Sequence, residues 1–189
     1  MISADELLKN ASSSAKRNYN FNKRLSKPRD LINGQRVCKI SKYKLGIRKV
    51  SGNGCGPIAI YNALRIIGQQ PDFPTICLAV DKYALRVGGI FGTDPEKLEN
   101  MFKECRIAAM KAKDYEDFRT VSGVVRASIL CYWVGKPKRS LLHFAAIFSN
   151  PDGTLSVCNR YSNRTTPSVA RNLDRLCPKE CYVCGFFLN

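Results

Sequence analysis

The sequence predicts an α+β domain of two lobes, with helices in the first part of the chain and antiparallel strands in the second. Three observations carry that expectation. Residues 51 to 105 contain apolar runs bounded by Pro, Gly and capping residues, the marks of consecutive helices. After residue 105 the apolar period shortens to that of strands. Between two such strands lies Asn150-Pro151-Asp152-Gly153, a hairpin turn by composition. No internal repeat and no linker divides the chain, so residues 1 to 189 are expected to form one domain. Residues 1–45 would be a basic N-terminal helix and wrapping arm, 46–120 the helical lobe and 121–189 the sheet lobe.

Residues 3 to 17 read as a short amphipathic helix anchored by Leu7 and Leu8 and weakened by Ser12-Ser13-Ser14. From Asn18 to Ser51 there is little periodicity; Pro28, Asn33-Gly34 and Gly46 indicate an irregular arm with one short strand, Arg36 to Ile40. Pro57 then opens an apolar run that stops at Gly68, a helix with proline in its first turn and glycine past its end. Its residues leave little polar face, so it should be buried. Further helices are expected from Thr75 to Val87 and from Asp94 to about Cys105, the latter opened by a Thr93/Glu96 capping box. Next come a strand (Arg106 to Ala112), a helical turn (Asp114 to Arg119), a long strand (Val124 to Val134) and an exposed basic turn at Lys136-Pro137-Lys138-Arg139. Strands Leu141 to Ser149 and Thr154 to Tyr161, a short helix Ser168 to Leu176 and a strand Cys181 to Leu188 complete the chain.

The formal charge is +16, and residues 1–50 hold 13 Lys or Arg against three Asp or Glu. Such a basic segment attracts anions, whether nucleic acid, an anionic membrane or an acidic peptide. The Arg17-Asn18-Tyr19-Asn20-Phe21-Asn22-Lys23-Arg24 stretch interleaves aromatics with cations as single-strand binders do, although a solvated basic face anchored by Tyr19 and Phe21 is the simpler reading. No apolar run is long enough for a membrane span, and the acidic N-terminus lacks a signal-peptide core. Nine cysteines, an odd number, do not form a secreted disulfide framework, so a reducing cytoplasm is the expected setting.

The chemistry converges on Cys55. It stands at the mouth of the buried helix between Gly54 and Gly56, where free N–H groups and the helix dipole favour an anion and can bring a thiol from about 8.5 into the range of roughly 3.5 to 7.5. The chain's one histidine is His143. A type I turn at Asn150–Gly153 closed by a left-handed Gly153 pairs Asn150 with Thr154, which sets His143 opposite Tyr161 and Asn159 opposite Ala145. His143 and Asn159 then share one face as diagonal neighbours, about 7 to 8 Å apart at Cα. A two-residue loop would send them to opposite faces. Nucleophile, base and orienting group are the parts of a catalytic triad.

The order Cys, His, Asn on a helix mouth and a hairpin resembles papain-like cysteine peptidases, most closely stand-alone relatives of the bacteriocin leader (double-glycine) peptidases. The resemblance rests on Asn53-Gly54-Cys55-Gly56-Pro57-Ile58-Ala59-Ile60-Tyr61-Asn62-Ala63-Leu64 and on His143-Phe144-Ala145 continuing to Asn159-Arg160-Tyr161, and it covers residues 45 to 188. It implies a papain-like fold, with Cys55 as nucleophile, His143 as base and acid, and Asn159 as the group that orients the imidazole. The family carries a Gln about six residues before its nucleophile to hold the oxyanion; here Lys49 stands there, and the nearest upstream Gln is Gln35. Asn53 is the expected replacement donor, with a folding back of Gln35 as the other. Gly54, Gly56 and Gly89 are expected to line the substrate path.

Cys177-Pro178-Lys179-Glu180-Cys181-Tyr182-Val183-Cys184 has a spacing used by thiolate metal sites, but no fourth ligand is near and the segment reads as a strand, so neither metal nor cofactor is expected. The functional expectation is a cysteine peptidase acting on a peptide or protein substrate, an acidic one by charge complementarity. The alternatives are an acyltransferase using the same thiol, and a catalytically impaired scaffold binding nucleic acid through the basic arm.

Overall fold

The computed structural model describes residues 1–37, 39–134 and 141–189. Its helices are α1 (Ala4–Leu8), α2 (Ser13–Asn22), α3 (Val50–Asn53), α4 (Cys55–Ile66), α5 (Phe73–Tyr83), α6 (Leu98–Glu104), α7 (Tyr115–Val121) and α8 (Leu173–Leu176). The strands are β1 (Lys44–Leu45), β2 (Arg48–Lys49), β3 (Met110–Lys111), β4 (Ala127–Val134), β5 (Leu141–Ser149), β6 (Leu155–Cys158), β7 (Ser168–Ala170) and β8 (Tyr182–Leu188). The chain is thus mixed α+β. β1 and β2 form a small ribbon, and the other strands form one antiparallel sheet in the order β3-β8-β4-β5-β6-β7. No helix among the described residues is long and apolar enough to cross a membrane.

Alternation along the strands builds two cores. Ile129, Cys131, Phe144, Ala146 and Phe186 face the helices, where α4 and α5 pack with Leu7, Ala15, Ile32 and Ile40 from the basic segment. Leu130, Tyr132, Ala145, Ile147 and Phe187 face the other way and are covered by Tyr115 and Phe118 of α7 and by Leu173 and Leu176 of α8. The basic segment therefore shares the main core. Its aromatics turn inward or pair locally: Tyr19 packs on the core and Lys44 lies over the ring of Phe21.

The hairpin forms in the expected register. Ala146 pairs with Cys158 and Ile147 with Val157, and the turn closes through Asn150 N–H to Thr154 O at 2.8 Å, with Gly153 at φ 79°. β6 nevertheless stops at Cys158 rather than Tyr161, because Asn159 takes φ 59° and turns the backbone out of the ladder.

Other expectations need correction. The helix over 3–17 is two helices, broken at Asn10 (φ 60°), and Ser12 caps α2 rather than weakening it by accepting from Ala15 N–H. The expected strand over 36–40 is a turn at Arg36 and Val37 followed by a 3₁₀ turn at Lys39–Lys42, with Cys38 outside the described residues. The turn before α6 is capped by Asp94, whose carboxylate accepts from Glu96 N–H, so the Thr93/Glu96 box is not formed. Arg106 at φ 52° delays the next strand to Met110–Lys111. Residues 168–176 split into β7 and α8, because Asn172 caps a new helix only after three residues have paired with β6. The basic turn at residues 136–139 lies outside the described residues.

Candidate active site

Two short packing contacts set the position of Cys55. α3 ends at Asn53 and α4 begins at Cys55, so the chain turns through a single residue, Gly54. A Cβ on Gly54 would strike Val50, and one on Gly56 would strike the side chain of Thr93. Both glycines are thus required by close packing beneath Cys55. This corrects their expected role, since neither lines the cleft. Gly89 is likewise buried against Gly46 and Leu45, at φ 93°.

Cys55 and His143 border one cleft of about 1000 Å³, together with Gln35, Asn53, Tyr132 and Trp133. Cys55 is 9% exposed. Burial pushes its thiol up, while backbone N–H groups of Phe144, Gly56 and Cys55 itself pull it down. The helix-mouth donors anticipated from sequence are therefore present, but burial outweighs them and holds the thiol above its ordinary value. The Phe144 N–H matters twice. It belongs to the residue that follows His143, so β5 lays the histidine's own backbone alongside the sulfur.

His143 pairs across the ladder with Tyr132, and the two rings meet edge to face at 5.7 Å. Its Nε2 lies 2.8 Å from the backbone carbonyl of Asn159. A carbonyl only accepts, so Nε2 carries the proton and Nδ1 keeps the basic lone pair. Burial pushes the imidazole down and so favours the neutral ring, an effect partly offset by that bond, which favours the charged one.

Asn159 thus orients His143, but through its main chain, a correction to the expected side-chain role. Its side chain is engaged elsewhere. Oδ1 accepts from Gln35 N–H at 3.1 Å, and Nδ2 donates to Gln35 Oε1 at 3.2 Å. The Asn159 N–H donates to Asn33 Oδ1 at 2.8 Å. Gln35 Nε2 reaches toward the carbonyls of Ser51 and Gly52, at 3.3 and 3.4 Å, just before Cys55. Gln35 folds back to the loop before Cys55, but its amide is given to those carbonyls rather than to the expected oxyanion, and it links that loop to the residue holding His143. The arm is fixed in this place by α4, where Asn62 exchanges two hydrogen bonds with Ile32 and the Tyr61 hydroxyl donates to Pro28 O. A fully buried Asn inside an apolar helix was the one sequence signal of this attachment.

Asn53 does not serve as expected. Its Nδ2 donates to the carbonyls of both Gly89 and Ile90, so its amide hydrogens hold the 86–92 loop. No protein-family model matches this chain, and neither does any curated protein sequence.

Of the remaining cysteines, Cys181 also borders the cleft. Cys131 and Cys184 are ladder partners in β4 and β8; the Cys131 thiol donates to the Cys184 sulfur, which holds Cys184 down, while burial first and that bond second push Cys131 up. The Cys177 thiol points to Pro178 O at 3.6 Å. Among the described residues no three His, Cys, Asp or Glu side chains gather as a metal site would need.

Proposed function

We propose that this chain is a papain-like thiol hydrolase acting on peptide amides. The observation that carries the reading is the arrangement around His143: Nε2 is tied to a main-chain carbonyl, leaving Nδ1 as base in a cleft shared with Cys55. The helix-borne Cys55, the hairpin-borne His143 and the antiparallel sheet support assignment to the papain-like architecture.

Both groups rest neutral, so proton transfer accompanies attack. The Cys55 sulfur forms a bond to the amide carbonyl carbon as its proton passes to His143 Nδ1. The N–H groups at the sulfur, that of Cys55 among them, face the oxygen on which negative charge develops. His143 then protonates the amine as the C–N bond breaks, leaving a thioester on Cys55. Water attacks the thioester, giving a proton to Nδ1; the C–S bond then breaks, His143 returns that proton to the Cys55 sulfur, and the acid product leaves.

Treatment with a peptidyl acyloxymethyl ketone, followed by mass spectrometry of the digested chain, tests this. The label is expected on Cys55 and is expected to fall at least a hundredfold in rate in His143→Ala, the least that general base catalysis contributes. Labelling spread over the other thiols, or unchanged by His143→Ala, would defeat the reading.

A further inference from the structure

We infer that the cleft selects peptides in which a large apolar residue is flanked by acidic ones, an inference that rests on the hydrolase reading above. Three arginines line the cleft, Arg36, Arg86 and Arg160, and no Asp or Glu does. Among the described residues none of the three has a carboxylate within ion-pair distance. Residues 38 and 135–140 contain no Asp or Glu to supply one. The cleft therefore presents uncompensated positive charge, inside a chain whose total of +16 draws anions from a distance.

The apolar half of the preference comes from the 86–92 loop. Val87 is 62% exposed and Phe91 64% exposed, and across the cleft Leu141 is 63% exposed. The loop keeps this presentation against its own backbone preference. Val87, a β-branched residue, stands at φ 47°, and Gly88, Gly89 and Gly92 are all left-handed. Asn53 clamps the loop through Gly89 and Ile90, two residues from the thiol in sequence. A strained, clamped loop that turns Val87 and Phe91 outward beside a nucleophile is built to meet an apolar side chain.

The full chain carrying Cys55→Ser, which binds without turnover, tests the inference by fluorescence anisotropy. Four labelled dodecapeptides serve as probes: acidic with a central Leu-Phe pair, basic with the same pair, neutral with the same pair, and acidic with Ala-Ala. The acidic Leu-Phe peptide is expected to bind at least tenfold more tightly than the basic and the Ala-Ala peptides, and to weaken as salt rises from 0.05 to 0.5 M. Arg86→Glu and Phe91→Ser, both at exposed positions, are each expected to weaken it threefold or more. Equal binding of acidic and basic peptides overturns the inference, as does indifference to Phe91→Ser or tighter binding of a single-stranded oligonucleotide. The hydrolase reading is separated by the wild-type chain: cleavage of unfolded casein without peptide discrimination leaves the hydrolase and removes the selectivity. Discrimination without any cleavage or acylation of Cys55 leaves the binding surface and removes the hydrolase.

Discussion

The Nε2 of His143 meets the main-chain oxygen of Asn159 at 2.8 Å, while the amide of Asn159 turns away to Gln35. Orientation of the imidazole is therefore a property of the backbone at residue 159, where φ is 59°. Replacement by glycine keeps both that conformation and the carbonyl. Asn159→Gly is expected to leave the pH dependence of Cys55 alkylation unchanged, while lowering stability by about 1 to 3 kcal/mol because Gln35 loses its buried partners. Alkylation rates and urea midpoints measured on the same variant separate the two effects. A collapse of the alkylation rate in a still-folded Asn159→Gly chain would show that the side chain orients the base after all.

The imidazole is displaced below its ordinary value of 6.5, chiefly by burial. If Nδ1 is the base, the acid limb of kcat/KM falls below that value, since the free enzyme keeps its active neutral ring to lower pH. A pH profile on any cleaved peptide measures this. A limb at or above 6.5 would assign it to a different group or require an anionic neighbour that stabilises the imidazolium. Stability carries the same sign: the unfolded chain binds a proton near 6.5 that the native chain refuses until lower pH, so acidification across that window favours unfolding.

Local chemistry was legible in the sequence, and long-range chemistry was not. The hairpin register followed from four residues, because Pro151 and a left-handed Gly153 admit one loop geometry. The opening of α4 was written by Cys55-Gly56-Pro57 for the same reason. The partnership of Gln35 with Asn159 spans 124 positions and depends on the path of the arm, which no local pattern encodes. A main-chain carbonyl acting as the histidine's orienting group has no sequence signature at all, and so the nearest polar side chain was credited with its role. Residues 36–40 looked like a strand because Val37, Cys38 and Ile40 favour pleated backbone, yet Ile40 is buried by a 3₁₀ turn. Asn53 beside Cys55 looked like an oxyanion donor until the 86–92 loop, more than thirty positions away, claimed its amide.

Gly56 lies directly under the side chain of Thr93, whose hydroxyl is buried without a hydrogen-bond partner among the described residues. Adding a methyl group there forces either α4 or the Thr93 segment to move. Gly56→Ala is expected to cost about 1 to 3 kcal/mol, and Gly56→Ala with Thr93→Ala to recover only part of the loss, because the second change removes the Thr93 hydroxyl and methyl but leaves its Cβ in conflict. Thermal unfolding of the two variants decides it. Gly56→Ala as stable as the parent would mean that this contact does not constrain the helix mouth.

Alkaline pH should unfold the chain well before its arginines titrate. Cys105 is pushed up to about 11 by burial, and Cys158 and Cys177 to about 12. In the unfolded chain these thiols ionise near 9.0. Between that value and their native values the unfolded state has released protons that the native state still holds, so stability falls as pH rises. Each thiol contributes a slope of about 1.4 kcal/mol per pH unit once the unfolded form is ionised. The loss is absent below about pH 8, where both states keep the protons. Urea midpoints at pH 7, 8, 9 and 10 are expected to stay level over the first interval and then drop with increasing steepness. A midpoint that holds steady to pH 10 would mean that these thiols are open to solvent in the native chain, and with them the face of the sheet that Cys158 shares with α4.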